Sequence, residues 1–258
     1  MDTTMIMLLL AAIVTVSIVI VVSSQMRERA RIERARKITA LEDRYKRASR
    51  LLSELPGQYL TDDLKLLLIH NMEESCRELV ALKSGSSSVA AWQAAIAELR
   101  QKVESNDDQR PPVKIDSPDK SNYVQELLQN LFRMIEGLHK TGQIDGTTAR
   151  KNLKFVLFLV NKTHADLHVF RARDHVSQNQ IRKAIHAYYL ASTEMGKSKD
   201  NPMALKAVKS FRTRIKELEA MEKDGTLEQP GEGISKLDRE WDTFGHDDRW
   251  RKKADYDD

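Results

Sequence analysis

Three histidines raise the first chemical question. His164 and His168 stand four residues apart and share a helix face, which is metal-ligand spacing, and His175 follows two turns later. A zincin site needs Glu directly after the first His, and Ala165 occupies that position; Asp166 points to another face. The expectation is therefore solvated or core-rim histidines rather than a metal site. Glu136 and His139 form a Glu-x-x-His pair as in di-iron bundles, but such sites need a second copy and further carboxylates, and the sequence has no second copy. Ser117-x-x-Lys120 and Lys140-Thr141-Gly142 match β-lactamase motifs on paper, at a spacing and in a helical context that cannot build an α/β active site. Cys76 lies in an amphipathic stretch with no positioned base, and neither GxxxxGK[ST] nor GxGxxG occurs. The reading is a protein with no catalytic residues, no cofactor and no metal, and so not an enzyme.

Two other features are suited to binding. Lys206, Lys209, Arg212 and Lys216 recur at spacings of 3, 3 and 4, a basic stripe to which Arg182 and Lys183 can add. The stripe is an anion-binding candidate for phosphates, anionic lipid or an acidic segment, although Glu217, Glu219 and Glu222 crowd the same helix and favour a solvated face. Near the C-terminus Ile234, Leu237, Trp241 and Phe244 recur at 3, 4 and 3 among acidic residues. This amphipathic segment is a partner-binding candidate of the helix-in-groove kind, with docking on the chain's own helices as the equal alternative.

The elements that position these groups follow from composition and periodicity. In 258 residues there are only 10 Gly and 6 Pro, well below the usual combined share of about 12%. One Cys excludes a disulfide scaffold, and the shortage of turn residues excludes collagen-like and many-stranded β classes. The expected class is all-α. Residues 5–24 begin with eighteen uncharged residues, MIMLLLAAIVTVSIVIVV, about 27 Å of helix, and read as a transmembrane anchor after a short extracytoplasmic N-terminus at 1–4. No Lys or Arg precedes the apolar run, so it reads less well as a cleaved signal peptide. Arg27, Arg29, Arg31, Arg34, Arg36 and Lys37 follow it and place the remainder in the cytoplasm by the positive-inside rule, with anionic headgroups within their reach. The expected location is the plasma membrane, of the bacterial inner-membrane kind.

A basic juxtamembrane helix over 25–55 carries Ile38, Leu41, Tyr45, Ala48, Leu52 and Leu55 at coiled-coil spacing, a seam short enough to favour packing on the chain's own domain over dimerisation, with a homo-oligomer left open. A helical hairpin over 56–104, a linker over 105–118, a bundle over 119–224 and an acidic tail over 225–258 complete the division. Leu153 to Val160 is apolar nearly all round and is expected at the centre of the core.

Ala184, Tyr188 and Ala191 in AIHAYYLA, with Ala172 twelve residues before Ala184, resemble the small and aromatic positions of one tetratricopeptide (TPR) unit. His168, Arg171 and His175 stand where that family carries large apolar and aromatic residues, Gly196 replaces the closing proline, and no second copy at a period of 34 occurs. The resemblance implies TPR-like helical hairpins; a compact helical bundle explains the same spacing. These features lead to a membrane-anchored helical scaffold or adaptor, with the bilayer and an unidentified protein as partners. A membrane tether for nucleic acid is the lesser alternative, since the basic surplus is concentrated where topology already explains it.

Overall fold

Helix starts and stops are written locally in the chain, and they set its architecture. Ser117 accepts from the Lys120 amide at 3.3 Å ahead of Pro118, which suits the first helical position. Asp145 caps the next helix by accepting from the Thr147 and Thr148 amides at 2.8 and 2.9 Å. Gly142 and Asn179 take positive φ (72° and 58°) just past two helix ends. At each the amide of the following residue bonds five residues back (Gln143 to Leu138, Gln180 to His175), which closes the last turn in a Schellman motif.

The computed structural model describes residues 3–82, 88–105, 107, 113–224 and 241, with the side chains of 3–16, 18 and 19 excepted. All seven helices there are α: α1 (Thr3–Glu54), α2 (Asp62–Ala81), α3 (Ser88–Glu104), α4 (Pro118–Lys140), α5 (Gly146–Ser177), α6 (Ile181–Gly196) and α7 (Pro202–Asp224), with one 3-10 turn at Gly57–Tyr59. No strand occurs among the described residues. No helix is long and apolar enough to cross a membrane among those residues, and the side chains of most of the apolar run at 5–24 are among those excepted.

The chain divides into two compact units. The first takes Met1–Arg50 and Leu66–Ser105. In it Leu41, Tyr45 and Ala48 of the seam are buried, and Tyr45 stacks on Trp92 with ring centroids 4.1 Å apart and 11° between planes. Polar contacts fix the register: Arg44 bonds Asn71 and lies 3.7 Å from Glu78, and Arg100 holds Glu73 with two bonds of 2.9 and 2.7 Å.

The second unit takes Leu51–Lys65 and Asn106–Asp258. Consecutive helices pack on one another, α4 on α5, α5 on α6 and α6 on α7. Small residues let α5 and α6 approach, with Ala172, Ala184 and Ala191 fully buried, and Tyr188 fills the space toward Phe211 of α7. The segment expected at the centre of the core packs between α4 and α6 with Val156, Phe158 and Leu159 buried, while Leu157 is 53% exposed and Lys154 is exposed. α5 has α4 and α6 as neighbours, and the side bearing Leu157 is left open.

A buried charge pair ties the second unit together. Lys162 Nζ lies 3.0 and 2.9 Å from the two carboxylate oxygens of Asp166, and the Tyr59 hydroxyl donates to Asp166 Oδ2 at 2.7 Å. The ammonium also sits 5.5 Å from the Tyr59 ring centroid and 5.2 Å from that of Trp241. Burial, then the Asp166 charge, push the Tyr59 phenol well above its ordinary value. Lys162→Met strands a carboxylate in the core and is expected to cost about 3–5 kcal/mol in chemical denaturation. Combining it with Asp166→Leu removes the stranded charge and is expected to return most of that loss; a double variant no better than the single would show that the pair is not what Lys162 supplies.

Candidate functional site

The histidines flagged by spacing separate in the structure. His164 turns toward α4, where Gln125 Nε2 lies 3.3 Å from its Nδ1. His168 and His175 instead line a groove between α5 and α6, with Arg171 from α5 and with Arg182, Lys183, His186, Ala187 and Leu190 from α6. The cavity measures about 410 Å³, and every ionisable side chain lining it is basic. The Nδ1 atoms of His168 and His175 are buried without a hydrogen-bond partner. Among the described residues no three His, Cys, Asp or Glu side chains are placed to hold a metal ion.

Helix geometry explains the assembly. His168, Arg171 and His175 follow at spacings of 3 and 4 on α5, and Lys183, His186 and Leu190 repeat the spacing on α6. The turn at Gln178–Gln180, held by left-handed Asn179, folds one stripe onto the other. The sequence marks His168 and His175 by their spacing with His164, Arg171 as a departure from the TPR pattern and Arg182 and Lys183 as additions to the α7 stripe; it does not bring them together and misses His186. The signal was present as two basic stripes on either side of a short turn.

Electrostatics within the groove are one-sided. Burial, and next the Arg171 charge, hold the His168 imidazole below its ordinary value; Glu194 pulls the other way, and His164 and His186 add repulsion. Arg182 and Lys183 lie in the first turn of α6, where Gln180 makes no side-chain cap bond and no acidic residue is present. Cations therefore occupy the positive end of a helix dipole, the reverse of the favourable arrangement. Arg182 is offset by Glu222 of α7, with which it pairs.

The other candidates are placed as follows. Lys206, Lys209, Arg212 and Lys216 are all exposed on α7. Arg27, Arg29, Arg31 and Arg36 are exposed on α1, whereas Arg34 donates to the Leu82 carbonyl and Lys37 lies 3.5 Å from Glu78. Ile234, Leu237 and Phe244 lie outside the described residues. Trp241 is 6% exposed and meets Phe211 at 4.7 Å between ring centroids, so the surface it covers belongs to its own unit. Cys76 is buried, and burial pushes its thiol up. Ser117 is occupied as a helix cap, and the His139 ring lies beside Gly146, 3.4 Å from where a Cβ would stand, an ordinary contact.

No family model, curated protein or solved structure matches the chain.

A depressed His168 value means that the unfolded chain binds the proton more readily than the folded one, so this histidine's contribution is intact above the ordinary imidazole value and is lost as pH falls through the depressed one. Stability is expected to drop between about pH 7 and pH 5, and His168→Gln is expected to flatten that part of the profile. Denaturation midpoints across this range check it; parallel profiles for the two proteins would refute the assignment.

Proposed function

We propose that this chain is a non-enzymatic, single-pass membrane adaptor. Residues 5–24 cross the bilayer, a short N-terminus lies outside, and the helical units face the cytoplasm of a bacterial cell, where they present helical surfaces, including TPR-like hairpin packing of α5 and α6, to a protein partner. The observation that carries the reading is on α1. Ile20, Val21 and Val22 are 61%, 53% and 48% exposed, and an exposed basic row beginning at Arg27 follows within two turns. Uncovered branched aliphatics running into arginines are what a helix leaving a bilayer requires, apolar surface to the acyl chains and cations at the headgroups. The engagement of Arg34 and Lys37 with the first unit gives that row a second role, since the same helix turn that meets headgroups is braced against α2.

A reporter active only outside the cytoplasm, fused after Asp258, is expected to be silent, and a cytoplasm-active reporter at the same place is expected to work. The reverse pattern, or a mature N-terminus beginning near Gln25, would overturn the anchor. Of the two readings of the tail, the seating of Trp241 on Phe211 supports docking on the chain's own helices. Trp241→Ala is expected to destabilise the full chain by about 3–5 kcal/mol, as truncation of buried aromatics does. An unchanged melting temperature with lost partner binding would return the tail to the role of a docking helix. Binding of nucleic acid that weakens steeply with salt and with neutralisation of Lys206, Lys209, Arg212 and Lys216 would favour the tether instead.

A further inference from the structure

We propose that the α5–α6 groove is a binding site for a phosphomonoester dianion, held between the imidazoles of His168, His175 and His186 and the cations Arg171, Arg182 and Lys183. The inference rests on these two helices and is independent of the membrane reading.

Four observations carry it. The groove gathers three imidazoles, two guanidiniums and one ammonium around about 410 Å³, with no carboxylate in its lining. Arg171, Arg182, Lys183 and His186 are exposed, so solvent screens their repulsion, and Arg182 is answered by Glu222; the positive field is reinforced by the start of α6, where Gln180 makes no side-chain cap bond and no acidic residue is present. Nδ1 of His168 and of His175, both residues of the groove lining, is buried without a hydrogen-bond partner. Finally, no three His, Cys, Asp or Glu side chains converge among the described residues, so the imidazoles meet a ligand at separate points along the groove rather than as one cluster.

The shape selects among anions. A stacking platform for single-stranded nucleic acid needs aromatic faces, and Ala187 and Leu190 are the apolar lining here. A single carboxylate offers two oxygens and one charge to six basic side chains. A phosphomonoester offers three terminal oxygens and close to two charges, and its second ionisation lies near that of imidazole, so each stabilises the charged form of the other. Arg171 and Arg182 supply planar donor pairs suited to two of those oxygens. The charged and titratable groups acting on His168 are Arg171 and His164 from α5 and Glu194 and His186 from α6, with Glu222 of α7 on Arg182; Glu194 is the one acid among them. An entering dianion outweighs it, and binding should therefore draw a proton onto the groove.

The test uses the full chain in a mild neutral detergent, titrated calorimetrically with inorganic phosphate. Saturable binding is expected, tighter at about pH 6.5 than at about pH 8.5, with an apparent enthalpy that changes with the ionisation enthalpy of the buffer as protons are taken up. Arg171→Gln and Lys183→Gln, both at exposed positions, are each expected to weaken binding roughly tenfold, as loss of a charge-assisted bond does, while Lys206→Gln on the α7 stripe leaves it unchanged. Two further arms identify the source. Reconstitution into nanodiscs of neutral lipid with added phosphatidic acid, a phosphomonoester headgroup, abolishes phosphate binding if the natural ligand is lipid; binding retained in those discs and competed by soluble glycerol phosphate identifies a soluble ester. Either result supports the site. Absence of saturable binding, or equal weakening by Lys206→Gln, overturns it.

Discussion

An ammonium taken out of water needs several partners at once, and Lys162 shows how many. Its charge is met by Asp166, Asp166 is met in turn by the Tyr59 hydroxyl, and the faces of Tyr59 and Trp241 lie beside the same nitrogen. Each partner comes from a different stretch of chain: the 3-10 turn before α2, the middle of α5, and the far C-terminal region. A buried charge pair adds little net stability over well-packed apolar groups. The ion pair itself forms within α5, and what the other two stretches add is cover: the Tyr59 hydroxyl takes up a carboxylate oxygen, and the Tyr59 and Trp241 rings lie beside the ammonium, so the pair is shielded from water when all three stretches arrive. The remainder of the second unit can be built from alanines, leucines and short turns because this one point fixes which segments meet.

The same logic organises α5. Its buried face carries Asn161, Lys162, Thr163 and Asp166 among apolar neighbours, and each polar group has an address: Asn161 donates to Ser198 Oγ at 2.7 Å and Thr163 to the Leu159 carbonyl at 2.9 Å. One turn further on, the chain changes strategy. From His168 to His175 the polar groups facing α6 are all basic and are not answered by acids in the groove. α5 thus satisfies its buried polar groups over its middle turns and gathers basic side chains over its last two, and it is on this second end that the proposed anion site rests.

Much of the fold was legible because helix punctuation is chemically local. Ser117 before Pro118, Asp145 before Gly146 and Gly142 after Lys140 carry their meaning within four residues, and the structure uses each as a cap or stop. What escaped the sequence depends on pairing between helices. Leu157 sits in an unbroken apolar run, and only the placement of α4 and α6 leaves its side exposed. Trp241 has the same amphipathic spacing whether it seats on Phe211 or on another protein. His164 and His168 share a face by period, yet one turns to Gln125 and the other to the groove, since a face some 100° wide touches two neighbours. The basic groove was hidden for a related reason: its two halves lie on either side of Asn179, and a reading made helix by helix never sums charge across a turn.

The stacked and tilted ring contacts have an optical consequence. Trp92 lies nearly parallel to Tyr45 in the first unit, and Trp241 lies against Phe211 and a lysine ammonium in the second. The two indoles therefore sit in unlike fields, one against a neutral phenol ring and one beside a full positive charge, and an excited indole shifts its emission with the field it feels. Each compact unit thus carries a native chromophore, and once Trp250, the third indole of the chain, is replaced, the order in which the two halves assemble can be read in colour without any label being added.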